Sequence, residues 1–145
     1  MKKIIFPLLA VVAFASCKKS DVKKQNCAVN QTTIAGDYKV ESIKYKISST
    51  TPELDLFSSL DPCEKDDLYQ LQADGSMQKT DVGITCGGMM PPSPANSWAL
   101  VSDNTRIQLT DGEYLIESFD CNRLVLSMTD ISALGDKQTM VLIRQ

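Results

Sequence analysis

The chain has 145 residues, with 15 Lys and Arg against 18 Asp and Glu for a net charge of −3, five cysteines and no histidine. Without an imidazole it cannot assemble a Ser-His-Asp triad, a Cys-His dyad or a Cys/His zinc site. The length suits one domain with a core of its own, and the acidic balance argues against nucleic acid as a partner.

Residues 1–16, MKKIIFPLLAVVAFAS, have a basic start at Lys2 and Lys3, an apolar run from Ile4 to Phe14 and small residues at Ala15 and Ser16, the pattern of a secretory signal peptide. The run is shorter than the roughly 18 residues a spanning helix needs, and no later segment approaches that length. Cys17 follows, and AFASC resembles the lipobox of bacterial lipoproteins, in which cleavage exposes a cysteine carrying diacylglycerol. That resemblance implies lipidation at Cys17, with acyl chains such as palmitate, and a membrane as the first partner; several chains make such an anchor effectively permanent. The competing reading is an ordinary secreted protein with a chance cysteine. Removal of 1–16 leaves 129 residues with 13 basic against 18 acidic. Lys18, Lys19, Lys23 and Lys24 crowd the tether 17–33, so the domain over 34–145 is more acidic still. The tether reads as a solvated linker, with contact to anionic headgroups as the alternative.

Alternating apolar and polar residues then predict strands in succession. GDYKVESIKYKI (36–47) sets Tyr38 and Val40 on one face, with a slip near Ile43 that reads as a bulge. The connection SSTTPELDLFSSLDP (48–62) predicts a short helix or loop: Thr51 is an N-cap candidate, Pro52 suits a first turn, and Leu54, Phe57 and Leu60 recur every three residues. DLYQLQA (67–73) turns at Asp74-Gly75 into SMQKTDV, NSWALV (96–101) turns at SDN into TRIQLT (105–110), and Asp111-Gly112 leads to EYLIESF (113–119). RLVLSMT (123–129) and QTMVLIR (138–144) complete eight strands with no long amphipathic helix. Such a meander is best served by closing on itself, which removes exposed edges, so the expected fold is all-β, an eight-stranded antiparallel up-and-down barrel.

The order IAGDYKVESI, CEKDDLYQLQADGS, ITCGG, NSWAL and IQLTDGEYLIESFDCNRLVLSM resembles the lipocalin-like domain of small lipoproteins of Gram-negative bacteria, over residues 34–145. Gly36 to Tyr38 stands where lipocalins carry Gly-x-Trp, with tyrosine in place of tryptophan. The resemblance implies that Arg144 covers the Tyr38 ring as a plug at one closed end, and that the anchor lies in the outer membrane. The lysines directly after Cys17 lack the acidic run associated with surface export, so the periplasmic face is preferred.

With Cys17 lipidated, four cysteines remain, and an even number in an exported chain reads as two disulfides with three pairings. Their spacings of 36, 23 and 35 residues contain no C-x-x-C for a four-cysteine zinc site. Cys63 and Cys86 flank the two arms of the Asp74-Gly75 hairpin at similar distances, so they should meet across its base, leaving Cys27 with Cys121. The acidic residues Glu64, Asp66 and Asp67 beside that staple read first as a solvated turn capping backbone amides. They lack the spacing of a calcium loop, and nothing marks them as a catalytic pair.

Eight strands enclose either a packed core or one small ligand. The residues singled out for lining a cavity are Tyr38, Leu71, Trp98, Leu109 and Tyr114, with Met89 and Met90 in the loop GGMMPPSPAN as an adaptable apolar rim. The sequence therefore points to a non-enzymatic, lipid-anchored envelope protein without metal or cofactor, binding a small apolar or amphipathic ligand in a shallow cavity. The alternative is an accessory or inhibitor module with a packed core that meets another envelope protein through its loops.

Overall fold

The computed structural model describes residues 27–86 and 96–145. Cys17, Met89 and Met90 lie outside them. The alternating segments form strands β1 (Gly36–Lys46), β2 (Leu54–Asp55), β3 (Leu68–Leu71), β4 (Ser76–Thr80), β5 (Asn96–Ser97), β6 (Ala99–Val101), β7 (Arg106–Leu109), β8 (Gly112–Phe119), β9 (Arg123–Thr129) and β10 (Lys137–Arg144). All pairings are antiparallel, and the sheet runs β5-β4-β3-β1-β10-β9-β8-β7-β6 with β2 added beside β1. Its two ends, β5 and β6, are separated in the chain by Trp98 alone. The ring is therefore closed by the chain itself, and the fold is the expected antiparallel barrel.

Among the described residues the strand count is ten where eight were expected, for two local reasons. The run 96–101 is one extended segment that pairs with β4 through Asn96 and Ser97, then with β7 through Ala99 to Val101. Trp98 is the corner: its N–H donates to the Gly75 carbonyl (2.8 Å) and its indole Nε1 to the Gln72 carbonyl (2.8 Å). Gly75 turns this hairpin with φ +89°, and a Cβ there would press on the Trp98 carbonyl at 3.2 Å. The second addition is β2. The helix expected from Thr51 does not form, because the Thr51 hydroxyl closes a turn with the backbone of Ser48 and Leu54–Asp55 joins the sheet opposite Lys44 and Tyr45. Only a 3-10 turn (Phe57–Ser59) and a short helix α2 (Pro62–Lys65) remain of the helical content there. Among the described residues no helix is long and apolar enough to cross a membrane.

Two bulges shape the longest strands. In β1 the register shifts at Glu41, two residues before the slip read from the sequence, and in β8 it shifts at Glu117. The extra residue turns outward, and Glu117 there accepts from Ser127 Oγ (2.6 Å) and Lys137 Nζ (2.7 Å). The turn before β8 falls one residue earlier than the Asp111-Gly112 signal, since Gly112 already pairs with Leu109.

One end of the barrel is sealed. Asn30 caps helix α1 (Gln31–Ile34), its Oδ1 accepting from the Thr33 N–H (3.0 Å), and Ile34 is fully buried beneath Tyr38, whose hydroxyl donates to the Ile34 carbonyl (2.7 Å). Arg144 Nη2 lies within hydrogen-bond reach of the Thr33, Ile34 and Ala35 carbonyls and of the Tyr38 hydroxyl (2.7 Å). Its guanidinium sits 5.3 Å from the centre of the Tyr38 ring and 5.8 Å from that of Phe119. A Cβ at position 36 would meet Arg144 Nε at 3.0 Å, so Gly36 leaves the room this arginine uses.

Both disulfides take the pairing read from the sequence, Cys27–Cys121 and Cys63–Cys86. The Cys27 N–H also donates to the Phe119 carbonyl (3.1 Å), so the packed unit reaches N-terminally through α1 to Cys27. The two bridges span 94 and 23 residues. Replacing Cys27 and Cys121 by alanine is predicted to lower the unfolding free energy by about 4 kcal/mol, and replacing Cys63 and Cys86 by about 3 kcal/mol, in denaturant titrations. The Arg144→Ala variant should lose about 3 kcal/mol in the same titration, because it strips a shared donor from several buried oxygens. Loss of less than about 0.5 kcal/mol would show that water replaces the guanidinium freely.

Candidate functional site

Pairing fixes which side chains face inward. Tyr69 stands opposite Lys79 and Leu71 opposite Met77 across the β3–β4 ladder. Residues two apart share a face, so one inward row on β3 and β4 carries two apolar residues toward the sealed end and a Tyr and a Lys toward the open end. Ile107 and Leu109 of β7, Leu126 of β9, and Met140 and Leu142 of β10 complete the apolar wall. Between these walls lies a cavity of about 470 Å³, with Tyr69, Lys79, Thr80, Asp81, Asn96 and Asp111 toward its mouth. That volume falls in the range of small-molecule sites, roughly 300 to 1,000 Å³.

An inward lysine is costly unless a counter-charge meets it. Asp67, buried just before β3, supplies it, with Lys79 Nζ 2.6 Å from Asp67 Oδ2. Lys79 also lies 5.6 Å from the Tyr69 ring centre. Burial works against the ammonium charge, but the bond to Asp67 and the fields of Asp67 and Tyr69 together outweigh it and leave the Lys79 pKa raised. Burial raises the Tyr69 phenol, a shift that Lys79 opposes and Asp67 and Asp111 reinforce. Across the mouth, the Tyr114 hydroxyl donates to Asp111 Oδ2 (2.8 Å), and burial followed by that bond pushes its pKa strongly upward. Both phenols are therefore neutral at physiological pH.

The acidic run beside Cys63 divides its work. Glu64 Oε2 accepts from the Asp61 N–H (2.9 Å) and caps α2. Asp66 Oδ2 accepts from the Ile84 N–H (2.8 Å) and holds the chain after β4. Only Asp67 turns inward. The carboxylates of Asp66, Asp67 and Asp81 each place an oxygen within 4.8 Å of the others. With the Lys79 ammonium already on Asp67, this group offers fewer free oxygens than the six to eight that calcium takes.

Of the residues singled out from the sequence, Leu71 and Leu109 line the cavity. Tyr38 belongs to the sealed end and Trp98 to the corner that closes the ring, both buried. Tyr114 is buried behind the mouth and reaches it through Asp111. Met89 and Met90 fall outside the described residues. The polar residues Tyr69, Lys79, Asp81 and Asp111 were not anticipated. The signal was present in the parity of β4, where Lys79 shares a face with Met77. No protein-family model matches the chain, and no curated protein matches it either.

The turn between β9 and β10 stands at the open end and is organised by Asp136. This buried carboxylate accepts from the N–H groups of Ile131 (2.7 Å), Ser132 (2.9 Å) and Ala133 (3.1 Å) and from the Tyr45 hydroxyl (2.7 Å). The Tyr45 bond first, and then the amides, lower its pKa from 3.8 to about 2. Because the folded value is depressed, the stabilisation is complete above the ordinary value of 3.8 and is lost as pH falls toward 2. Thermal melts of the wild type and Asp136→Asn should accordingly differ most near neutral pH, draw together below the ordinary value of 3.8 and converge only below about pH 2. A gap that persists unchanged at the lowest pH would mean that the charge plays no part.

Proposed function

We propose that this chain is a non-enzymatic binding protein of the cell envelope, anchored by lipid on Cys17, that takes one small apolar or amphipathic molecule into the barrel. The observation that carries the reading is the cavity of about 470 Å³, walled by Leu71, Met77, Ile107, Leu109, Leu126, Met140 and Leu142 in a barrel whose other end is packed shut. Apolar walls with a few polar groups at one end are the usual make-up of a small-molecule site. The anchor, the outer-membrane location and the periplasmic face rest on the sequence of residues 1–24 and on the resemblance it carries.

A second reading, an accessory or inhibitor module that meets another envelope protein through its loops, draws on a different observation. Ile47 in the β1–β2 connection, Leu54 at the start of β2, and Ile131 and Leu134 in the β9–β10 connection are exposed, Leu134 at 94%. Such side chains scattered on loop tips are weaker support than an enclosed apolar space.

Native mass spectrometry of the protein purified from cells, with titration of an environment-sensitive fatty-acid-like probe, separates the two. The first reading expects a retained small molecule or saturable probe binding with one site per chain. The variant Met140→Trp, which places an indole in the cavity, should weaken the probe by about tenfold or more while leaving the melting transition cooperative. Absence of both retained mass and probe binding in the wild type would discard the cavity reading in favour of the loops.

A further inference from the structure

The charges around the cavity do not balance, and this bears on which amphipathic molecule it accepts. Lys79 is the lone basic residue of the lining among the described residues, and its ammonium is taken by the buried carboxylate of Asp67 at 2.6 Å. It is therefore a poor anchor for a ligand carboxylate, which would have to displace Asp67 and leave that acid buried and unpaired. Asp81, at the end of the inward row of β4, and Asp111, in the turn between β7 and β8, also line the cavity, and both are exposed. Asp111 gives one oxygen to the neutral Tyr114 hydroxyl and so keeps its charge uncompensated by any cation in that contact. The Tyr69 ring borders the same space but already faces the Lys79 ammonium at 5.6 Å, so the two exposed carboxylates are what is left to meet a ligand's charge.

We infer that the cavity selects amphiphiles whose polar end is a protonated amine, with the apolar body between β3, β4, β7 and β10 and the ammonium at the mouth between Asp81 and Asp111. This inference rests on the cavity reading above and specifies its ligand class. An alkylamine is charged at neutral pH, since an unperturbed ammonium titrates near 10.4. Two partly solvated carboxylates together favour it by about tenfold over a neutral head of the same chain, and disfavour an anionic head.

The test compares dodecylamine, dodecanol and dodecanoate as displacers of a neutral fluorescent probe from the full-length protein, in wild type and in Asp81→Asn/Asp111→Asn. Asparagine retains an acceptor for Tyr114. The expected order is amine, then alcohol, then carboxylate, with the amine about tenfold ahead of the alcohol at low salt and the lead shrinking at high salt. In the double variant the amine and alcohol should bind alike. Equal or tighter binding of dodecanoate, or an amine preference that survives the double variant, overturns the assignment of the charge while leaving the cavity in place. Failure of all three to displace, the alcohol included, overturns the cavity reading together with this one.

Discussion

A guanidinium set among backbone carbonyls holds the closed end of this barrel. Arg144 reaches the carbonyls of Thr33, Ile34 and Ala35 at the C-terminal end of a one-turn helix, the Tyr38 hydroxyl, and the faces of Tyr38 and Phe119. A helix of four residues has no stability of its own, because nucleation costs more than one turn returns. It persists here because a cation satisfies the carbonyls its last turn leaves open, because Ile34 is buried, and because the Cys27–Cys121 bridge restrains the chain just before it. Everything above follows from that seal. With one end packed and hydrogen-bonded, the lined cavity lies toward the other.

The interior changes character along the barrel axis for a reason set by pairing. Near the seal the inward positions are Tyr38, Phe119 and Leu124, buried and packed. Toward the open end the same rows continue into Tyr69, Lys79 and, just beyond the strands, Asp67 and Asp81. A charge could not stand deeper without exceeding what one partner can offset, whereas near the mouth solvent and an ion pair share that cost. The polar inward residues therefore mark where the packed core gives way to a lined cavity.

The sequence disclosed what depends on local chemistry. Alternation located every long strand, the Asp74-Gly75 pair located the β3–β4 turn, and the near-equal arms of that hairpin brought Cys63 to Cys86. It was less informative where tertiary contacts outweigh propensity. The segment after Thr51 has helical spacing, but a free edge of β1 takes Leu54 and Asp55 as a strand because pairing there satisfies backbone groups that a short exposed helix would leave to water. The cavity was legible in part. Leu71 and Leu109 follow from parity alone, whereas Asp111 lines the space only because the turn into β8 falls a residue early. Tyr38 and Trp98 are large aromatic residues on inward faces, and sequence cannot say which such residue fills space and which borders it.

The ring closes through a short crossing segment. Residues 96–101 pair with β4 only at Ser76 and Met77 and with β7 only from Arg106 to Gln108. Among the described residues, Gln78, Lys79 and Thr80 of β4 and Leu109 of β7 therefore have no ladder partner on the side facing the junction. The cavity is bordered by residues of these same two strands and the turns after them, Lys79 to Asp81 on one side and Leu109 to Asp111 on the other. The strand that crosses from one neighbour to the other at Trp98 thus joins the two walls that carry these residues. Polar and acidic side chains can occupy the mouth because water reaches them, while the alternating apolar positions directly below remain dry enough to hold an apolar group. Closure at Trp98 and the lined interior are in this sense built from the same two strands.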